Sequence, residues 1–280
     1  MTMAASSAAY TRQQGHSLRC ALIVDGANAL KGFEKHERRL MRHHDFEAHI
    51  REMLVAFEAN TGRSMQLVTD HTIFVNVDPQ EYKRFISRHL ENRYSGEELD
   101  YRRRQLGNDS RRMAELHNRL GRRRSPCRFK IKTIGLKSRE VRCHNCRCMQ
   151  EDHVQRGGDV MIAMCLLEAA LRDDIDPVIL FSGDGDFMPA LQSIRQAVPT
   201  KKIFVAAYEA TASRRFSVSD SWELRDGRWQ PEISRHIDHV HLIRTSDAAA
   251  PPPPRETLPT LPVDDRAYAQ ALLAILLERT

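Results

Sequence analysis

No apolar run in these 280 residues approaches the roughly 20 needed to cross a bilayer, which excludes a helical membrane protein. Nor does the first stretch hold a signal-peptide core. Its first 20 residues are rich in Ala and Ser and carry Arg12 and Arg19 but no acid. They read as a disordered start, with a transit peptide as the alternative. Six cysteines without a secretory signal favour a reducing compartment, so the chain is expected in the cytoplasm. Acids are scarce in one region only. Between Tyr101 and Arg147, 16 Lys/Arg stand against Asp109, Glu115 and Glu140. That local excess of +13, in a chain of net charge +6, leaves −7 for the rest. An imbalance of this kind fits a polyanion, with a solvated charged face as the plainer alternative.

With 41% apolar residues the chain has material for a substantial core. "CALIVDGANAL" opens with a short strand, Ala21 to Val24, that Asp25-Gly26 ends. Phe46, Ile50, Met53, Leu54 and Phe57 then recur at helical spacing over 45–60, and Thr61-Gly62 stops that helix. "TIFVNVD" (72–78) predicts a second strand, and Pro79 opens a helix carrying Tyr82, Phe85, Ile86 and Leu90. A basic helix is expected over 110–120, and "RFKIKTIGL" (128–136) alternates as a half-exposed strand. Residues 159–171 predict a long helix buried over much of its surface. A strand over 178–182, a helix over 187–196 and a strand over 202–208 follow. Trp222 and Trp229 flank an "RDG" turn, which fits packing on a β-hairpin better than base stacking. Strands alternating with helices imply a parallel sheet with helices on both faces.

The apolar strands end in carboxylates: Asp25, Asp78, and the pair Asp184 and Asp186 in "VILFSGDGDF". Asp159 opens a helix after Gly157-Gly158. Ligands of open parallel sheets sit beyond the carboxyl ends of the strands. If the first strand lies beside 178–182, Asp25, Asp159, Asp184 and Asp186 converge there. Their mutual repulsion calls for a divalent cation, and Mg²⁺ or Mn²⁺ pairs such oxygens with phosphates. Each of these aspartates also suits helix capping, so no single one of them is diagnostic.

"LIVDGANAL", "GGDVMIAMCLLEAA" and "VILFSGDGDFMPALQSIR" together resemble the three signature blocks of NYN domains, PIN-like nucleases that include the LabA group. The resemblance runs from about Ala21 to Ile243. It implies a PIN-like, Rossmann-like α/β sheet and metal-dependent cleavage of RNA, with Asp25, Asp159, Asp184 and Asp186 as the Mg or Mn ligands. Asn28 would orient a water or the scissile phosphate, and Ser182 and Gly183 would shape the turn. Two departures stand out. Many relatives carry a second acid two turns into the helix block, where this chain has Cys165 and its neighbours. The segment before Gly157 is also longer than the family minimum, an insertion suited to tuning the substrate. The expected organisation is a disordered 1–19, a nuclease domain over 20–245 with a basic, Cys-containing insertion at about 100–155, a Pro-rich linker over 246–263, and a helix over 264–280. That helix docks on the body, meets a protein partner or pairs two copies.

The insertion holds Cys127, Cys143, Cys146 and Cys148, a candidate structural zinc site with His144 or His153 as substitutes; free thiols or a disulfide are the alternatives. Cys20 and Cys165 read as core residues. Arg102, Arg103, Arg104, Arg122, Arg123, Arg124, Lys130 and Lys132 are the candidate RNA contacts, single-stranded RNA being the expected partner. A haloacid-dehalogenase phosphatase would need a second Asp where Ala27 stands, and a Toprim domain would need Glu in place of Asp25. A catalytically silent NYN module that binds RNA or recruits a partner remains the alternative to a nuclease.

Overall fold

β1 (Leu18–Asp25) runs through the middle of the molecule, and Cys20 to Val24 are wholly buried because both faces of the sheet are covered. The computed structural model describes residues 17–122, 127–142, 149–213, 216, 222–225, 228–231 and 236–243. The expected N-terminal disorder, the Pro-rich linker, the C-terminal helix, Arg123, Arg124, Cys143, Cys146 and Cys148 lie wholly or mainly outside them.

After β1 come α1 (Gly26–Glu37), α2 (His43–Thr61), β2 (Met65–Val77), α3 (Pro79–Arg93), α4 (Gly96–Leu120), β3 (Lys130–Arg142) and β4 (Met149–Arg156). The chain continues through α5 (Gly158–Ala170), β5 (Val178–Phe181), α6 (Met188–Ala197), β6 (Ile203–Tyr208), the hairpin β7 (Trp222–Arg225) and β8 (Arg228–Pro231), and β9 (His239–Ile243). The main sheet has seven strands in the order β4-β3-β2-β1-β5-β6-β9. All neighbours are parallel except β4, which returns antiparallel on β3. The predicted α/β sheet with helices on both faces is therefore the observed fold.

Successive residues of β1 point to opposite layers, as the two-residue strand period requires. Ala21 and Ile23 join Val75, Leu180, Leu166 and Leu191 beneath α5 and α6. Cys20, Leu22 and Val24 join Phe33, Phe46, Ile50 and Phe57 on the α1–α2 side.

Several elements differ from the sequence expectation. α1 and β4 were not expected at all, and α4 begins at Gly96 rather than near Ser110. α5 is less enclosed than its apolar composition suggested. Ile162, Cys165, Leu166 and Ala169 face the sheet, but Val160 and Met164 are 67% and 50% exposed on the outward side. A helix lying on one sheet face buries one stripe only. Among the described residues, no helix is long and apolar enough to cross a membrane.

Gly26 explains why the first strand can turn at once into α1. A Cβ there would stand 2.6 Å from the Val75 carbonyl oxygen and 2.7 Å from the Phe74 ring. The Val75 carbonyl is tied into the sheet and cannot step aside. Gly26→Ala is expected to destabilise by about 1–3 kcal/mol, the usual range for overpacking, read as a lower urea midpoint at unchanged slope.

Candidate active site

Asp25 is the last residue of β1 and the N-cap of α1. Its Oδ1 accepts from the Asn28 backbone N–H at 3.1 Å. Its Oδ2 accepts from the Ser182 hydroxyl at 3.0 Å, across from β1 to the residue just after β5. Ser182 Oγ in turn accepts from the Asp184 N–H at 3.1 Å, and Asp184 Oδ1 accepts from the Asp186 N–H at 2.9 Å. A continuous chain of hydrogen bonds thus joins the three acids of two adjacent strands. Ser182, fully buried, is its hinge point.

Asn28 adds a second tie. Its side-chain Oδ1 accepts from the Gly183 N–H at 2.9 Å, which leaves Nδ2 as the group able to donate outward. Gly183 itself has no room for a side chain: a Cβ would stand 2.5 Å from the Thr211 carbonyl oxygen. Phe187, 2% exposed, anchors the far end of the turn in the core.

Asp159 lies in the first turn of α5, after Gly157 takes the left-handed conformation at φ 73°. The four acids feel one another. Burial pushes the Asp25 carboxyl up to about 6, and the charges of Asp159 and Asp184 add to the rise; the bonds from Asn28 and Ser182 oppose it. Asp159 is also raised, first by burial and then by Asp184 and Asp186. Among the described residues, none of the four is in an ion pair. An acidic cluster that burial and mutual repulsion destabilise, with no protein cation beside it, fits a divalent cation. The acids do not close on a single point. The trio of ligand atoms mutually within 4.8 Å among the described residues is His36, Glu37 and His49, which sequence reasoning passed over.

The remaining candidates scatter. Lys132 lies level with Asp25 across β2, since Val75 pairs with both, and its Nζ donates to Cys165 Sγ at 3.1 Å. Lys130 lies two residues back along β3. Arg122 follows α4, near the entry end of β3, where Phe129 N–H meets the Leu120 carbonyl. Arg102 pairs with Glu98 at 2.9 Å and lies over the Tyr94 ring; Arg103 pairs with Glu91 at 2.8 Å. Acids just before Tyr101 therefore offset part of the local excess. Arg104 is exposed.

Of the four candidate zinc cysteines, Cys127 lies among the described residues. It is buried in the apolar layer with Phe46 and Phe129, and burial raises its thiol. β3 then carries the chain 13 residues, about 40 Å in extended form, before Cys143 is reached. Cys143, Cys146 and Cys148 lie outside the described residues. Cys20 and Cys165 are core residues, as expected.

The sequence from residue 19 to 221 matches the family model of the NYN domain. The chain belongs to the NYN domain family. This NYN domain is thereby placed in a nuclease-type, PIN-like family. Among solved structures it is similar to a protein of unknown function from Vibrio parahaemolyticus RIMD 2210633, at 18% identity and a TM-score of 0.42, over 82% of this chain and 96% of that one. No curated protein matches it.

The two functions open to Asn28 can be separated. Asn28→Ala loses both its bond to Gly183 and its outward donor. A stability loss of about 1–3 kcal/mol is expected for the orphaned Gly183 N–H. A fall of about 10²-fold in turnover is expected for a misplaced catalytic group. Asn28→Asp keeps the acceptor but replaces the donor with a further negative charge among the aspartates, so turnover should fall and the metal-free protein should lose stability through like-charge repulsion.

Proposed function

We propose that this NYN domain is a metal-dependent ribonuclease. The observation that carries the proposal is the carboxylate cluster of Asp25, Asp159, Asp184 and Asp186 beyond the carboxyl ends of β1 and β5, in which Asp25 and Asp159 are raised by burial and by the charges of their acidic neighbours. These four would hold Mg²⁺ or Mn²⁺. Such an ion supplies Lewis-acid activation of a water and neutralises charge on a phosphodiester. The protein's own part is positional. Asp25 and Ser182 fix the two strand ends against each other. Asn28 is pinned through Oδ1 and directs Nδ2 toward a phosphate oxygen or the attacking water. Asp186, exposed at the rim, stands where substrate arrives.

The β3–β4 hairpin supports RNA as the substrate. It leaves the sheet where Ile134 pairs with Val77, returns at Arg156 opposite Gly135, and delivers the chain through Gly157 to Asp159. An arm whose described ends carry the exposed Lys137 and Arg156 thus springs from beside the acids and can hold a strand by its phosphates. Single-stranded RNA in the cytoplasm remains the substrate we favour.

Labelled single-stranded RNA decides the matter. Cleavage with Mn²⁺ or Mg²⁺ that EDTA stops is the expected result. Gel shift with no cleavage, independent of metal, would instead identify a binding module, a reading that the separation of the four carboxyl groups favours.

RNA affinity should also fall steeply with salt. Replacing Arg122, Arg123 and Arg124 by Ala is expected to flatten the log–log slope by roughly two units, at about 0.7 per single-strand phosphate contact. An unchanged slope would make that run a solvated face.

A further inference from the structure

The last turn of α1 and the second turn of α2 bring two imidazoles and a carboxylate together, away from the acidic edge. His36 and Glu37 end α1, and His49 comes from α2. One ligand atom from each lies within 4.8 Å of the others. The side chain of His36 is only 6% exposed, while that of Glu37 is 34% exposed, so the trio is enclosed on the protein side and open at one edge.

We propose that His36, Glu37 and His49 form a site for a zinc-class divalent cation, distinct from the aspartate cluster, that fastens α1 to α2. The donor set decides the metal class. Two imidazoles and one carboxylate suit Zn²⁺ or Co²⁺, whereas Mg²⁺ takes oxygen ligands.

The geometry is already close to coordination. Two ligands about 2.05 Å from a tetrahedral ion stand about 3.3 Å apart. His36 Nε2 and Glu37 Oε1 are separated by 3.3 Å. His49 is oriented by the outer hydrogen bond that metal-bound histidines characteristically make: its Nδ1 lies 2.9 Å from the hydroxyl of Tyr208, fully buried at the end of β6. That bond leaves Nε2 as the nitrogen available to an ion. The His36 and His49 rings meet edge to face at 5.7 Å and pack against Tyr208 and, for His49, Phe33, so neither ring can swing away freely.

The cation that pairs with Glu37 does not fill the site. Arg39 approaches the other Glu37 oxygen, Oε2, at 3.7 Å, but its guanidinium is held by Asp45 through bonds of 2.7 and 2.9 Å and lies over the Phe33 ring. Glu37 Oε1 therefore stays turned to His36. Three protein ligands leave the fourth position of a tetrahedral ion to water on the open side.

From Asn28 to His36 is about 12 Å along the helix axis, so this ion would not touch the aspartate cluster. It would instead fix the far end of the helix whose first turn carries Asn28. The inference does not depend on ribonuclease activity.

The test is Co²⁺ titration of the reduced full chain in excess Mg²⁺, read by visible absorption. Wild type should bind one Co²⁺ per chain with visible bands but without the near-ultraviolet thiolate charge transfer that a cysteine site would give. Zn²⁺ should displace it and raise the melting temperature. Glu37→Gln, at the exposed position, should weaken Co²⁺ binding at least 10-fold without disturbing the ring packing, whereas His49→Asn should weaken it as far while also removing a packed ring. Tyr208→Phe should weaken it about 10-fold through the lost orientation of His49. Asp186→Asn should bind as wild type does. Absence of the thiolate-free bands in wild type, or equal Co²⁺ affinity in wild type and Glu37→Gln, would overturn the site whatever the outcome for RNA cleavage.

Discussion

Asp184→Asn and Asp186→Asn are each expected to cost on the order of 10³-fold or more in single-turnover cleavage of RNA, as removal of a member of a catalytic unit does. The melting temperature in EDTA should stay level or rise. The structural reason differs between the two. Asp184 Oδ1 accepts from the Asp186 N–H, and an asparagine offers the same carbonyl oxygen, so the turn is preserved while the charge is lost. Asp186 is exposed, and its replacement by Asn leaves the packing of Phe187 untouched. Both changes take a negative charge away from Asp159, and the Asp184 change also takes one away from Asp25. Relief of like-charge repulsion favours the metal-free fold. Cleavage lost with stability kept is the signature of a group that holds metal or substrate. Undiminished cleavage in either variant would remove that aspartate from the site.

The strands that carry these acids were legible because they are buried on both faces and read as unbroken apolar runs, as at Val178 to Phe181. Their neighbourhood in space was legible too, from the common habit of parallel sheets. What the sequence hid has local causes. α1 contains Gly26 and Gly32, residues that weaken a helical pattern. Both are there because the helix runs against β2 and Tyr208 too closely for a side chain: a Cβ on Gly32 would stand 2.3 Å from the Tyr208 ring. β4, "MQEDHVQR", is an edge strand and lacks the period-2 apolar alternation by which strands are recognised. The first half of α4 packs only Leu99 and Leu106 into a small cluster with Ile86 and Leu90, too thin a stripe to announce a helix amid so many arginines. His36 and His49 belong to separate helices, one of them unread, and no spacing rule joins them. Ser182 was read as shaping a turn. Its second function, linking Asp25 to Asp184 through one hydroxyl, depends on β1 and β5 ending level, which only the register reveals.

In metal-free protein, stability is expected to fall as pH rises from about 4 to about 6, and Asp25 is the main cause. Its carboxyl titrates near 6 in the folded state, against 3.8 when unperturbed. Below the lower value both states are protonated, and the group's contribution is fully present and constant. Between the two, the folded state keeps a proton that the unfolded state has released, so each further rise in pH favours unfolding. A shift of this size corresponds to about 3 kcal/mol, fully lost above pH 6. Asp159, raised as well, acts in the same direction. Other groups titrate over this range, so the informative quantity is the difference between wild type and Asp25→Asn, measured by urea unfolding in EDTA. The asparagine keeps Oδ1 for the Asn28 N–H but sets an amide against the Ser182 hydroxyl, at a cost of about 1 kcal/mol for the disturbed bond. The variant should then be the less stable protein at pH 4 and the more stable one at pH 8, by about 1–2 kcal/mol. Mn²⁺ should reverse the comparison at pH 8, because an ion that binds only the folded wild type would stabilise it by mass action and displace the proton from Asp25. Cleavage should accordingly climb through pH 6. Parallel stability curves for the two proteins in EDTA would show that Asp25 is not held near 6, and the electrostatic case for a cation at the ends of β1 and β5 would lose its strongest member.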